Sequence, residues 1–334
     1  MKYITDTISY PRYCSKAFQL YFADMDMGVL DIETTGLNPQ QSKFVLGGLL
    51  TPFDDQLEAA QFFAETLEEE QETLRAYAAA VSEKDLVFTY NGQHFDIPFI
   101  KKRSQVPLDL PFNLDLYLLV KSYSPIRAFL PNLKQKTVEN FMGFWEHRED
   151  EISGKESVDL YYSYLSTRDP AVRDKILLHN HDDIVQLYRL LKVLEKSDFH
   201  KAMSRMGFPI RSQSGIRLII ERISTSENQL RVRGRQREPA ISYRCFEWDE
   251  IPCSAHFDKE KKTFVVSIPL IRHSGLMLVD LKALKMDIVS FEKYPGCQEG
   301  FLILEEQGEK HYLQTNHFIK LFLERILNQW IIKK

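Results

Sequence analysis

The chain has 334 residues, 44% of them hydrophobic, with 43 Lys and Arg against 47 Asp and Glu. That length and balance allow two domains with real cores and exclude a fibrous or largely disordered protein. No run of about 18 apolar residues exists to span a bilayer, and the opening MKYITDTISYPRYCSK lacks the apolar stretch of a secretory signal, so the expected location is the cytoplasm.

The charge is unevenly placed. Residues 1–200 carry 21 basic and 31 acidic side chains and residues 201–334 carry 22 and 16, so the halves stand at −10 and +6. A basic second half fits a protein that handles something anionic there. The cysteines Cys14, Cys245, Cys253 and Cys297 contain no C-x-x-C pair, which argues against a disulfide framework or a four-cysteine zinc site. Cys245, Cys253 and His256 fall in one short segment and form at most a partial metal set.

In chain order, apolar segments at Met27–Ile32, Phe44–Leu50 and Leu57–Phe63, with the turn TPFDDQ before the third, predict an antiparallel meander. Glu68–Lys84, rich in Ala, Leu and Glu with acids in its first turn, predicts a helix. DLVFTYNG reads as a strand ending in an Asn-Gly turn, FDIPFIKKRSQ as a helix opening with Asp96, and LPFNLDLYLLV as a further strand. Strands side by side, then alternating with helices, describe a mixed α/β sheet. From Leu133 to Glu195 the pattern is mainly helical, with a polar loop at His147–Ser157. It ends in a helix whose Ile176, Leu177, Ile184, Leu187, Leu190 and Leu191 recur at helical spacing. Beyond about residue 200 the texture is β-rich: NQLRVRGRQR, a hairpin at SAHFDKEKKTFVVSIPL, GLMLVDL, a hairpin at GFLILEEQGEKHYLQ, and an amphipathic helix over Asn316–Ile332.

Within VLDIETTGLNP, Asp31 and Glu33 sit on one face of a strand, since alternate side chains point the same way. Two carboxylates this close raise each other's pKa unless a cation lies between them. Hard divalent cations take oxygen ligands of this kind, whereas a solvent-exposed strand end is the better explanation of the pair when it is taken alone. Asp96 falls near a strand-to-helix junction, where ligand sites of α/β sheets gather, or is a simple N-cap. Asp183 follows His179 by four residues, on a face that continues toward Leu187 and Leu190. An Asp directed at a core is costly unless paired or bound to metal, while the histidine is also readable as a satisfied core residue.

In order, LDIETTGL, YNGQHFD and HNHDD resemble the three exonuclease motifs of the DEDD superfamily, the DnaQ-like 3′→5′ exonucleases on a ribonuclease-H-like fold. More closely they resemble its bacterial YprB-type branch. The resemblance covers roughly Met27 to Glu195. It implies a two-metal nuclease in which Asp31, Glu33, Asp96 and Asp183 hold two Mg²⁺ or Mn²⁺ ions about 3.5–4 Å apart and His179 is the base acting on the attacking water. The third motif departs from the family pattern, with His at the spacing where the tyrosine subgroup has Tyr; His181 competes but points around the helix from Asp183. The same resemblance makes Thr34, Thr35, Gly36 and Leu37 the loop that meets the terminal nucleotide, with Asn91 and Phe95 as neighbours of the substrate. Each of these residues is equally readable as turn or core. The implied partner is a single-stranded or unpaired 3′ end of DNA or RNA. Rival readings are an inactive nucleic-acid-binding or scaffold protein on a nuclease fold, or an endonuclease.

In the second half, Arg231, Arg233, Arg235 and Arg237 alternate, so a strand would align four guanidiniums on one face, suited to a phosphate backbone or simply solvated. Residues 1–200 are expected to form the nuclease domain, and 201–334 a basic, β-rich accessory domain.

Overall fold

The computed structural model describes residues 1–144, 152–247 and 253–331. The chain falls into two compact units, Met1–Ser15 with Asp24–Asp198, and Lys16–Ala23 with Phe199–Lys334.

The first unit begins with strand β1 (Lys2–Ser9), after which helix α1 (Lys16–Phe22) belongs to the second unit. The sheet continues with β2 (Met27–Thr34), β3 (Phe44–Phe53) and β4 (Gln56–Phe63), then α2 (Glu70–Ser82), β5 (Leu86–Thr89), α3 (Asp96–Arg103), β6 (Phe112–Asp115) and α4 (Leu116–Tyr123). Strand order is β1-β4-β3-β2-β5-β6, antiparallel through the meander and parallel from β2 to β5 and β6. This is the mixed sheet expected, with β1 added at the edge. The segment LPFNLDLYLLV is only half strand: Asp115 stops β6 and caps α4, accepting hydrogen bonds from the amides of Tyr117 and Leu118. A side-chain cap that frees helical N–H groups from the strand ladder outweighs the apolar run that reads as β.

Three further helices follow, α5 (Gln135–Phe141), α6 (Gly154–Thr167) and α7 (Pro170–Arg189). The polar loop read at His147–Ser157 lies partly outside the described residues. From Gly154 it is helix instead, because Ser153 and Glu156 form a reciprocal capping box. Helix α7 opens on Pro170 with Asp169 accepting the Ala171 amide at 2.9 Å, an ordinary N-terminal signal.

Glycines at the centre of β3 let both layers close on the sheet. A Cβ on Gly47 would lie 2.6 Å from the Tyr77 ring of α2, and one on Gly48 would lie 2.3 Å from the Asn180 side chain of α7. On the α2 side Leu30, Ile32, Phe44, Phe62 and Tyr77 form one apolar cluster. On the other side Val45, Leu46 and Phe63 pack with Tyr161, Tyr164 and Ile176 of α6 and α7. Gly48 stands directly opposite Asp31 in register, so the acids of β2 face the α7 layer.

The second unit contains α8 (Phe199–Met206) and a six-stranded antiparallel sheet of β7 (Phe208–Arg211), β8 (Arg217–Ser226), β9 (Gln229–Gln236), β10 (Tyr243–Cys245), β11 (Ser254–Asp258) and β12 (Thr263–Pro269), ordered β10-β11-β12-β9-β8-β7. A smaller sheet holds β13 (Ile271–His273), β14 (Leu276–Asp280), β15 (Cys297–Gln298), β16 (Phe301–Glu306) and β17 (Glu309–Lys310). Helix α9 (Tyr312–Arg325) starts before Asn316, so the last residues of the second expected hairpin are helical. Its Asn316 donates to the Tyr21 hydroxyl at 2.9 Å, and Tyr21 packs on Phe199 and Phe208, which ties α1 into this unit. Among the described residues no helix is long and apolar enough to cross a membrane.

Candidate active site

Strand β2, the start of α3 and the middle of α7 bring the predicted acids together. His179 Nε2 lies 3.6 Å from both Glu33 Oε1 and Asp183 Oδ2. Glu33, His179 and Asp183 offer ligand atoms all within 4.8 Å of one another, the one group of three or more potential ligands that meets this spacing among the described residues. Burial pushes the Asp31 carboxyl well above the usual range, and the carboxylates of Asp183, Asp96 and Glu33 push it further, so three neighbouring acids bear on Asp31. Asp96, the first residue of α3, is buried, and its carboxyl is pushed up to about 7, first by burial and then by Asp115 and Glu33 against opposing backbone hydrogen bonds. Asp96 Oδ1 is buried without a hydrogen-bond partner.

An orphaned carboxylate oxygen beside mutually repelling acids is what a hard divalent cation would satisfy: it supplies the missing partner and removes the repulsion. The donor set, carboxylates with one imidazole, therefore fits Mg²⁺ or Mn²⁺.

Asp31, Glu33 and Asp183, with His179, line a cavity of about 960 Å³, joined by Thr34, Thr35, Gly36, Leu37 and Phe95. The hydroxyls of the two threonines are engaged within their own loop, Thr34 donating to the Gly36 carbonyl and Thr35 accepting from the Lys43 amide, each at 2.8 Å. Leu37 is 83% exposed. Asn91 is not in the cavity wall. It adopts the left-handed conformation at φ 64°, with its amide donating to Asp115, and so is a turn residue. His181 points elsewhere: its Nε2 lies 3.3 Å from Asp6, and it lines a separate cavity.

The arginine row belongs to the second unit, and only part of it is a row. Arg231, Arg233 and Arg235 share the outer face of β9, but the strand ends at Gln236 and Arg237 is buried at 1% exposure. Alternation predicts a face only while the strand lasts. The partial metal set at Cys245, Cys253 and His256 does not assemble as ligands. Burial pushes the Cys253 thiol up to about 12, and His256 contacts Arg244 at 3.1 Å.

Three residues of the site were missed. Asn180 Nδ2 donates to Asp31 Oδ2 at 3.0 Å, Gln61 Nε2 donates to Asn180 Oδ1 at 3.0 Å and to the Leu177 carbonyl at 2.8 Å, and Ser157 Oγ donates to Glu33 Oε2 at 2.9 Å. An Asn inside HNHDD is a visible signal for the first; Gln61 and Ser157 carry none, because their partners are more than 100 residues away in the chain. Lys134, Lys136 and Lys155 add cationic lining to the same cavity.

The fold, with its acid cluster on β2, the start of α3 and the middle of α7, defines a ribonuclease-H-like domain. A family model described as the RNase_H superfamily matches residues 29–195, and the chain belongs to that superfamily. No curated protein matches it significantly. Among solved structures it is similar to the family B DNA polymerase from the hyperthermophilic archaeon Pyrobaculum calidifontis, at 20% identity and a TM-score of 0.41, over 50% of this chain and 24% of the polymerase. It is also similar to a structure described as the apo form of the nuclease, at 16% identity and 0.34, over 51% of this chain and 72% of that one. A third is the Aedes aegypti Nibbler EXO domain, at 15% and 0.32, over 51% and 78%. The chain thus spans about a quarter of the polymerase it resembles.

Proposed function

We propose that this chain is a metal-dependent nuclease of the DEDD class, a 3′→5′ exonuclease on single-stranded or unpaired ends of DNA or RNA. Met1–Ser15 with Asp24–Asp198 form its nuclease domain, and Lys16–Ala23 with the chain from Phe199 onward an accessory domain. The observation that carries the reading is the convergence of Asp31, Glu33 and Asp183 with His179 on one cavity, backed by the buried, unpartnered Asp96 oxygen.

Asp31, Glu33, Asp96 and Asp183 would hold the two divalent cations, Mg²⁺ or Mn²⁺. Bound there, such ions supply Lewis-acid polarisation of the phosphodiester and a more acidic water. His179 takes the proton from the water that attacks phosphorus, and the Glu33 and Asp183 carboxylates 3.6 Å from its Nε2 hold the resulting imidazolium. The water oxygen bonds to phosphorus as the P–O3′ bond breaks, the leaving 3′ oxygen takes a proton from solvent, and a 5′-mononucleotide leaves. Asn180 orients Asp31, Ser157 orients Glu33, and exposed Leu37 offers an apolar contact for the terminal base.

The test incubates the protein with 5′-labelled and 3′-labelled single-stranded DNA and RNA and Mn²⁺, alongside Asp31→Ala. The expected result is stepwise shortening from the 3′ end that the substitution abolishes. No product from any substrate, or undiminished product from the mutant, sinks the enzyme reading.

A further inference from the structure

The outer face of the larger sheet of the second unit carries its cations across the strands as well as along β9. The register places Arg222 of β8 directly opposite Arg233 of β9, Arg233 opposite Val265 of β12, Val265 opposite His256 of β11, and His256 opposite Arg244 of β10. Directly paired antiparallel residues share a face, and Arg222, Arg233, His256 and Arg244 are all exposed. Four strand spacings separate the ends of this line, about 19 Å at roughly 4.8 Å per spacing. Arg231 and Arg235 flank it on β9, and the residues between are small or neutral, namely Ser224, Ser254, Thr263 and Ser267.

Like charges placed directly opposite each other destabilise a sheet. Here Arg222 faces Arg233, whereas Arg244 Nη2 donates a hydrogen bond to His256 Nε2 at 3.1 Å. The acids on the face have partners: Glu221 pairs with Arg235 at 3.5 Å and Asp258 with Lys261 at 3.8 Å. Among the described residues no ion pair engages Arg222, Arg231 or Arg233. At the β10 end Phe246 is 76% exposed, with the Arg244 guanidinium 6.0 Å from its ring centre.

We propose that this face is a binding surface for a single-stranded nucleic acid, which crosses the strands along Arg222, Arg233, His256 and Arg244 and stacks a base on Phe246. Guanidiniums meet phosphates in bidentate fashion, and a cationic track joined to an exposed aromatic is the arrangement that binds single strands without reading sequence. An anionic lipid surface or a sulfated polysaccharide would use the charge but offers no planar base to stack on the ring. The choice of a nucleic acid as the anion rests on the nuclease reading above, but the surface lies outside the acid cluster, and its binding is measurable without turnover.

The experiment uses the full chain carrying Asp31→Ala in EDTA, with fluorescence anisotropy of labelled 30-mers of dT and of U over a range of salt. The variants are Arg222→Gln/Arg233→Gln/Arg244→Gln, Phe246→Ala, and a charge-matched control, Lys282→Gln/Lys293→Gln/Lys310→Gln. Loss of three phosphate contacts is expected to flatten the slope of log K against log salt by about 2, at roughly 0.7 per contact on single strands. Phe246→Ala is expected to weaken binding by about 5-fold or more, from roughly 1–3 kcal/mol per stacked base. Thermal melting of the arginine variant should stay near the parent, since all three side chains are exposed, which separates lost binding from lost folding. An unchanged salt slope in the arginine variant, or an equal change in the lysine control, overturns the proposal. So does binding to heparin or anionic vesicles as tight as to the oligonucleotides with no effect of Phe246→Ala. Failure of catalysis with intact binding would strike the nuclease reading alone.

Discussion

Asn180 is wholly buried and presents its amide to Asp31 in an orientation that a residue remote from the acids imposes. The Leu177 carbonyl can only accept, so Gln61 must turn Nε2 toward it; that same Nε2 donates to Asn180 Oδ1, which leaves Asn180 Nδ2 to donate to Asp31 Oδ2 at 3.0 Å. Removing a donor from a buried carboxylate costs about 1.5–3 kcal/mol. Asn180→Ala should therefore raise the Asp31 carboxyl still further and weaken Mn²⁺ binding by about 10- to 150-fold. Gln61→Glu reaches the same end without touching Asp31. A glutamate that can only accept loses both donor bonds, and Asn180 gains by turning its own oxygen toward Asp31. Gly48→Ala, whose new Cβ would lie 2.3 Å from Asn180 Oδ1, displaces the amide and should resemble Asn180→Ala. Calorimetric titration of Mn²⁺ into each variant, with circular dichroism to establish folding, measures the effect. Folded Asn180→Ala and Gln61→Glu proteins that bind Mn²⁺ like the parent would refute the relay.

Three further outcomes follow from the same structure. His179→Ala should reduce cleavage by about 10²- to 10⁴-fold, the usual worth of a general base, while His181→Ala leaves it near the parent; equal rates for the two in a gel assay would remove His179 from its role. Glu70 is buried and accepts from Arg103 Nε at 2.7 Å and Nη2 at 2.6 Å, from the Phe44 amide at 3.0 Å and from Lys43 at 3.1 Å. Burial raises its pKa, but these donors outweigh it and the net shift is downward. That stability is present above pH 4.5 and is lost as pH falls through the lowered folded value, and Arg103→Ala should destabilise the first unit by about 3 kcal/mol in urea melts at pH 7. His317, its Nδ1 2.9 Å from the Tyr294 hydroxyl, is pushed from 6.5 down to about 4 by burial and then by Lys293 and Lys320. Below pH 6.5 the unfolded chain takes up a proton that the folded one refuses. The second unit should thus lose on the order of 2 kcal/mol between pH 6.5 and 5, a slope His317→Gln should flatten. A flat stability profile in the parent would contradict the buried neutral histidine.

Much of this protein was legible before folding is considered. The period-two acids of VLDIETTGL, the glutamate-rich start of α2 and the helical spacing of Ile176, Ile184 and Leu187 are local patterns, and the elements appear where those patterns lie. Where the reading slipped, a competing local interaction or a distant partner decided. Asp115 capped α4 inside an apolar run, Ser153 and Glu156 opened α6 inside a polar one, and Arg237 left the face when β9 ended one residue before it. Strand β1 escaped notice because its exposed, polar sequence makes sense only as an edge paired to β4.

The sequence by itself determined which residues bear charge, which alternate and which repeat at helical spacing, because these depend on neighbours a few positions apart. Tertiary structure alone decided that Glu33 and Asp183 stand 3.6 Å from one imidazole nitrogen, that Gly48 makes room for the amide that holds Asp31, and that Arg222, Arg233 and Arg244 form a line across five strands. Those facts depend on register and on helix placement against the sheet. A one-residue slip in register would turn the strand side chains among these, Glu33, Asp31 and the arginines, to the other face while leaving the local pattern unchanged.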